Sequence, residues 1–201
     1  MTDLLYKCMQ CGVCCFEIPE SPGAKRIPLY PEEVDRLVDV AKERDIKFQV
    51  IEDLVFPDTI NKKILVITYK ILLNNEKKGC PFFDENTGCT VHEIKPYACQ
   101  AYPLSLKRID SFNLEITIDP LCHFVIQHRE ALKKKADMES IKKIFKNEYP
   151  KAEKFFRKNK RIQLKIRKLE AEKKISIPRE ITLEQFNDAL KNWEREEIRT
   201  K

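Results

Sequence analysis

Glycine is scarce, 4 residues in a chain of 201. That excludes collagen-like repeats, flexible Gly/Ser linkers and glycine-rich phosphate loops. No apolar run approaches the roughly 20 residues that cross a bilayer. The start, Met1-Thr2-Asp3-Leu4-Leu5-Tyr6-Lys7-Cys8, has neither the charged opening nor the long apolar stretch of a signal peptide. The expectation is a cytoplasmic protein with no membrane association. The sequence also lacks a Ser/His/Asp order, a paired-carboxylate signature, a G-x-G-x-x-G and an H-E-x-x-H, so no catalytic set can be assembled and the question of enzymatic activity stays open. No thioredoxin-like βαβ pattern surrounds Cys8 and Cys11, which argues against a redox thiol pair there.

What the chain does have is 42% apolar and 35% charged residues, enough apolar surface for a folded core, and 8 cysteines. They stand at 8, 11, 14, 15, 80, 89, 99 and 122, and none follows Cys122. In a reducing compartment clustered thiols bind metal more often than they pair. Disulfides stay open as an alternative, because low glycine with abundant Lys, Glu and Ile resembles thermophile usage, and hyperthermophile cytosols do hold disulfides.

Charge divides the chain in the same place as cysteine. Residues 1–132 carry 16 basic and 20 acidic side chains, residues 133–174 carry 17 and 6, and residues 175–201 carry 5 and 6. This predicts a cysteine-cluster domain over 1–132 and a basic helical C-terminal extension over 133–201 packing on it. The fold class expected is α+β: a small cysteine-rich metal-binding domain of short β-hairpins and helices, followed by a helical part. Pro31 with Glu32 and Glu33 opens a helix whose apolar face is Val34, Leu37, Val38 and Ala41. Lys63–Leu73 reads as a buried strand, Asn74–Gly79 as a turn, and Cys80–Phe83 and Cys89–His92 as short strands about Asp84–Gly88. Pro96 opens a short helix that Pro103 ends, and Leu104–Ile109 with Phe112–Ile118 form a hairpin. From Leu121 the pattern is helical, with breaks expected at Pro150 and at Ile177-Pro178. Thr182-x-x-Gln185 then caps a last helix through Trp193.

Cys8-x2-Cys11-x2-Cys14-Cys15 is the strongest motif. A two-residue spacer lets two thiolates in one tight turn converge on one centre, with metal–sulfur distances of ~2.3 Å for zinc. Gly12 relaxes the backbone between the spacers. A fourth cysteine following at once departs from the C-x2-C-x2-C-x3-C-P run of bacterial-type ferredoxins. Adjacent side chains diverge in most backbone conformations, so Cys14 and Cys15 are expected to serve different centres, a bridging position or the core. The distal set, Cys80, Cys89, Cys99 and Cys122, falls on a hairpin, a short helix and a helix start. All eight are candidate metal ligands.

Cys8-x2-Cys11-Gly12-x-Cys14-Cys15, Cys80-Pro81-Phe82-Phe83, Cys89-x2-His92-Glu93, Lys95-Pro96-x2-Cys99 and Ala101-Tyr102-Pro103 together resemble the CxxCxxCC family, the YkgJ-like cysteine-cluster proteins, over about residues 8–122. The resemblance implies a zinc- or iron-chelating domain, often taken to hold an iron–sulfur cluster, with all eight cysteines matched. It extends distantly to flagellin lysine-N-methylases. Where the family commonly has Tyr-Glu-x-Arg-Pro-x2-Cys-Arg, this chain has His92, Lys95 and Gln100, which removes the arginines an anion-binding role there would use.

An all-sulfur donor set suits four-thiolate zinc, [2Fe–2S] and [4Fe–4S] alike. Irregular spacers and the lack of a distal C-x2-C knuckle favour an iron–sulfur cluster, [4Fe–4S] first, with zinc the alternative. His92, His123 and His128 are read as ordinary polar side chains. The basic residues of 133–174 alternate with aromatics at helical spacing, which favours a solvated face over nucleic-acid binding. Three functions follow: electron transfer, cluster handling or a structural role for an iron–sulfur protein with a redox or substrate protein as partner; a zinc-stabilised nucleic-acid module; or a protein-modifying enzyme like the lysine-N-methylases.

Overall fold

The computed structural model describes residues 4–16, 27–73, 79–110, 113–135 and 137–199. In chain order its elements are β1 (Pro28–Leu29), α1 (Pro31–Glu43), β2 (Val50–Asp58), β3 (Lys63–Ile71), β4 (Phe83–Asp84), β5 (Gly88–Cys89), α2 (Tyr97–Ala101), β6 (Leu104–Arg108) and β7 (Leu114–Ile118). Then come α3 (His123–Gln127), α4 (Arg129–Lys134), α5 (Met138–Ile144), α6 (Tyr149–Ala171), α7 (Leu183–Asn192) and β8 (Glu194–Glu197). Short 3-10 turns cover Val13–Cys15 and His92–Ile94. This is the α+β class. Among the described residues no helix is long and apolar enough to cross a membrane. The chain divides into two compact units, Met1–Lys25 with Leu73–Arg157, and Arg26–Leu72 with Lys158–Lys201. All eight cysteines belong to the first.

In the second unit β3 is the centre of an antiparallel-dominated sheet. Ile64, Leu65 and Val66 are fully buried, which explains why this strand reads as a continuous apolar run rather than an alternation. β2 lies antiparallel along its full length, from Val50 opposite Ile71 to Asp58 opposite Lys63, with register shifts around Leu54. β1 pairs antiparallel at Lys70 and Tyr69, and β8 pairs parallel from Lys63 to Val66. α1 starts as expected: Pro31 stands in its first turn, and Glu33 accepts the Tyr30 N–H at 2.9 Å. α7 has the expected reciprocal cap, Gln185 N–H donating to Thr182 Oγ1 at 3.2 Å and Thr182 N–H to Gln185 Oε1 at 3.1 Å. Its Ala189 packs on Ile64 and Val66. Asp58, 1% exposed, accepts from Ser176 N–H at 2.8 Å, Ile60 N–H at 3.1 Å and Asn61 Nδ2 at 2.5 Å.

In the first unit Tyr6 is the keystone. Its N–H donates to Ile144 O at 2.8 Å, and its ring lies 5.0 Å from both Phe124 and Phe145. Ala101, Leu104, Leu132, Ile141, Ile144 and Ala152 complete the core. β6 and β7 form the expected hairpin, from Leu104 opposite Ile118 to Arg108 opposite Leu114.

Three expectations are corrected. The helical run breaks at residues 145–148, one turn before Pro150, which instead occupies the second position of the 23-residue α6, where a missing N–H costs nothing because first-turn N–H groups have no intrahelical partner. Cys80–Phe83 is not a strand: Cys80 O accepts the Phe83 N–H at 3.0 Å, closing a turn, and pairing begins at Phe83 opposite Cys89. The last helix stops at Asn192, and Glu194–Glu197 leaves it as a strand. Residues 74–78 of the expected Asn74–Gly79 turn lie outside the described residues.

Candidate metal centre

The N-terminal cysteine loop owes its shape to two left-handed residues. Gln10 has φ 50° and Gly12 φ 78°, so the chain reverses inside each two-residue spacer. Cys15 N–H then donates to Gly12 O at 2.6 Å, winding Val13–Cys15 into one 3-10 turn. Beyond it Phe16 pairs with Gly79, and Cys80 N–H donates to Cys15 O at 2.8 Å. The Cys80 turn leads directly into β4, which pairs with Cys89 in β5. Cys14, Cys15, Cys80 and Cys89 are thus tied together by backbone. Gly12, Gly79 and Gly88 make the tight approach feasible: a Cβ at Gly12 or Gly79 would strike the Phe16 ring at 2.9 and 2.8 Å, and one at Gly88 would strike Gln10 Oε1 at 2.6 Å. Three of the chain's four glycines serve this loop cluster.

All eight cysteines are free thiols; Cys11 is exposed, Cys122 buried and the rest half-buried. Sulfur–sulfur pairing is therefore not what gathers them. The Cys14 and Cys15 sulfurs are 3.8 Å apart, so the expected divergence of these two side chains does not occur. The 3-10 turn supplies the reason, since it is not an extended backbone.

Five of the thiols, Cys15, Cys80, Cys89, Cys99 and Cys122, are raised above the ordinary thiol range. Cys15 rises well above the ordinary thiol range, through its contact with Cys14 first, then burial, then Cys80 and Cys99. Burial pushes Cys80 up to about 11, with Cys89 and Cys14 adding to it. Burial likewise raises Cys99, reinforced by Cys14, Cys80 and Cys89, and raises Cys89, reinforced by Cys14 and Cys8. Cys122, raised by burial, is the neighbour of Cys11 and of the Tyr6 hydroxyl, which in turn feels Cys8. The Tyr102 phenol is raised by burial first, then by Asp119, Cys122 and Cys14. Among the described residues no three His, Cys, Asp or Glu side chains already form a group able to hold a metal ion.

Opposing the burial are donors aimed at sulfur. The N–H of Phe82 lowers Cys80, that of Val91 lowers Cys89, and those of Phe124 and Val125 together with the Tyr6 hydroxyl lower Cys122. In all three cases a donor comes from the residue two positions on. A neutral thiol is a weak acceptor, whereas a thiolate uses such donors fully. Lys95 adds a cation that lowers both Cys89 and Cys99. This donor set, soft sulfur surrounded by N–H groups, fits zinc or an iron–sulfur cluster.

The chain belongs to the CxxCxxCC family. Residues 7–133 match this family, which is described as a "putative zinc- or iron-chelating domain". None of the curated proteins and none of the solved structures compared with the chain matches it. As a member of a chelating family the protein is a metal-binding one.

Of the other residues singled out in the sequence, His92, His128 and Gln100 have partners other than thiols. His92 Nδ1 lies 3.7 Å from the exposed Glu93, and the His128 ring stacks 4.5 Å from Phe124. His123 is exposed. Gln100, found where the CxxCxxCC pattern commonly has arginine, donates through Nε2 to Lys95 O at 2.5 Å and so holds the turn into α2. Sequence reasoning missed Tyr6 and Lys95 as partners of the thiols. Lys95 carried a signal, being the basic residue between Cys89 and Cys99; Tyr6 carried none.

Proposed function

We propose that this protein is an iron–sulfur protein whose metal is held by Cys8, Cys11, Cys14, Cys15, Cys80, Cys89, Cys99 and Cys122, and that it works in electron transfer, in cluster handling or as a cluster-stabilised interaction module. The observation that carries the reading is the set of eight free thiols in one compact unit, three with donors from two residues on turned toward the sulfur. Donors of this kind stabilise sulfur anions and set cluster potentials. A bound cluster would supply one-electron chemistry. The residues themselves would orient the thiolates through the Phe82, Val91 and Phe124 N–H groups, offset their charge through Lys95, and shield the Cys122 side with Tyr6 and Phe124. A [4Fe–4S] cluster is the type the irregular cysteine spacing favours, and a reducing cytoplasm is the compartment that keeps such thiols available.

Zinc is the second reading, and the Cys14–Cys15 separation of 3.8 Å favours it. The full chain prepared anaerobically separates the two. Visible absorption, acid-labile sulfide and iron in stoichiometric amount support the first; a colourless protein with stoichiometric zinc supports the second. A chain with neither metal, after anaerobic preparation and reconstitution, refutes both.

A further inference from the structure

Adjacent residues on an extended backbone send their side chains to opposite sides. Cys14 and Cys15 instead share a 3-10 turn entered through Gly12 at φ 78°, and their sulfurs are 3.8 Å apart. A disulfide would need ~2.05 Å. A tetrahedral metal with metal–sulfur bonds of ~2.3 Å places any two of its thiolates about 3.8 Å apart. A [4Fe–4S] cubane makes a different demand: each of its four cysteines takes a different iron, so the sulfurs are separated by the breadth of the cluster.

Two neutral thiols can rest at this distance by an ordinary S–H contact. Their surroundings argue for more. Cys80 N–H donates to Cys15 O at 2.8 Å, so a third sulfur is rooted on backbone fastened to the pair. Cys99 is within electrostatic reach of both Cys14 and Cys15.

Resting on the thiolate–metal reading above, we propose that Cys14 and Cys15 are ligands of one and the same metal atom, with Cys80 supplying its third sulfur. An atom with two neighbouring thiolates is a zinc ion, a single iron or one end of a [2Fe–2S] cluster. A [4Fe–4S] cluster on this chain would have to draw its irons' ligands from cysteines other than this pair.

The test is anaerobic titration of the full metal-free chain with Co(II), followed by the sulfur-to-cobalt charge-transfer band and by mass-spectrometric mapping of which thiols are still alkylated. The expected result is that Cys14, Cys15 and Cys80 lose alkylation together at one cobalt-to-protein ratio. Cys14→Ser and Cys15→Ser should each lower the band by the share of one thiolate. If either serine variant fails to fold, the alkylation map of the unsubstituted chain decides. Protection of Cys14 with Cys15 still reactive, or a band unchanged in Cys15→Ser, overturns the shared-atom assignment and leaves the metal-binding reading standing. No uptake of cobalt overturns the assignment and the metal-binding reading together.

Discussion

Replacing Gly12 by alanine strains the thiol loop in two ways at once. Its backbone sits at φ 78°, a left-handed conformation that costs a residue with a Cβ roughly 1–2 kcal/mol. The added methyl also runs into the Phe83 ring and into Phe16 Cε2 at 2.9 Å. Those two rings are packed edge to face with centroids 5.1 Å apart, so neither can move without disturbing the other. Overpacking of this kind costs about 1–3 kcal/mol. The combined loss is on the order of 2–5 kcal/mol. Gly79→Ala isolates the steric part, because its Cβ meets the same Phe16 ring at 2.8 Å with no left-handed φ to strain. Gly12→Ala should therefore be the more damaging by the backbone share, about 1–2 kcal/mol. Urea denaturation of both variants and the parent, metal-free and under reductant, measures this by far-UV circular dichroism. Fluorescence of the lone Trp193 would not serve, since that residue belongs to the other unit. Equal losses, or a greater loss in Gly79→Ala, would refute the account of the loop.

Further outcomes follow from the charges and hydrogen bonds described above. The metal-free chain should lose stability as pH rises: Cys80 moves from 9.0 to about 11 on folding, so its neutral thiol contributes fully below pH 9 and the contribution, on the order of 2–3 kcal/mol, is lost as pH rises toward 11. Cys15, Cys89, Cys99 and Cys122 are shifted the same way, and the metal-loaded chain, its thiols already deprotonated, should not follow; urea midpoints of both forms between pH 8 and 11 check this, and a flat metal-free profile would contradict it. Lys95→Met removes the cation that lowers Cys89 and Cys99, so the pH at which half the Co(II) is bound should move up; an unmoved midpoint would deny Lys95 its electrostatic part. Asp58→Ala leaves the Ile60, Ser176 and Asn61 donors without their carboxylate and should cost about 3 kcal/mol while metal stoichiometry stays at the parent value; a loss of metal would mean that Asp58 does more than anchor its own unit.

Sequence and structure agree where a local rule has no competitor. Pro31 with two acids at a helix start, Thr182 and Gln185 as a reciprocal cap, and an unbroken Ile/Leu/Val run over β3 each have one favourable outcome. β2 stayed hidden because its register shifts around Leu54 destroy the period of two, and because Pro57 argues against a strand. It is tolerated next to the last residue of a strand whose other edge makes no ladder among the described residues. β8 is Glu-Arg-Glu-Glu, with no apolar face to recognise. Its place depends on partners far away in the chain: Glu196 on Lys63 at 2.7 Å, Arg195 on Glu52 at 2.8 Å, and a parallel ladder on β3. Such long-range pairings leave no periodic trace. Pro150 shows the opposite error, a strong local rule applied one turn too late in a helix that begins at Tyr149.

The eight cysteines were visible as a set, but not their arrangement. Spacing alone treats Cys14 and Cys15 as residues that point apart, and only the 3-10 turn beyond Gly12 brings their sulfurs to 3.8 Å. The linkage of Cys15 to Cys80 is likewise a backbone hydrogen bond across the 64 positions that lie between residues 15 and 80, and no spacer rule reports it. The scarcity of glycine was the better clue. A chain with 4 glycines places three of them, Gly12, Gly79 and Gly88, where a Cβ would collide with Phe16, Phe83 or Gln10. Glycine costs backbone entropy on folding, and this chain otherwise avoids that cost. Its concentration beside the thiols therefore marks the segments that must approach most closely, and it does so independently of the cysteine spacing.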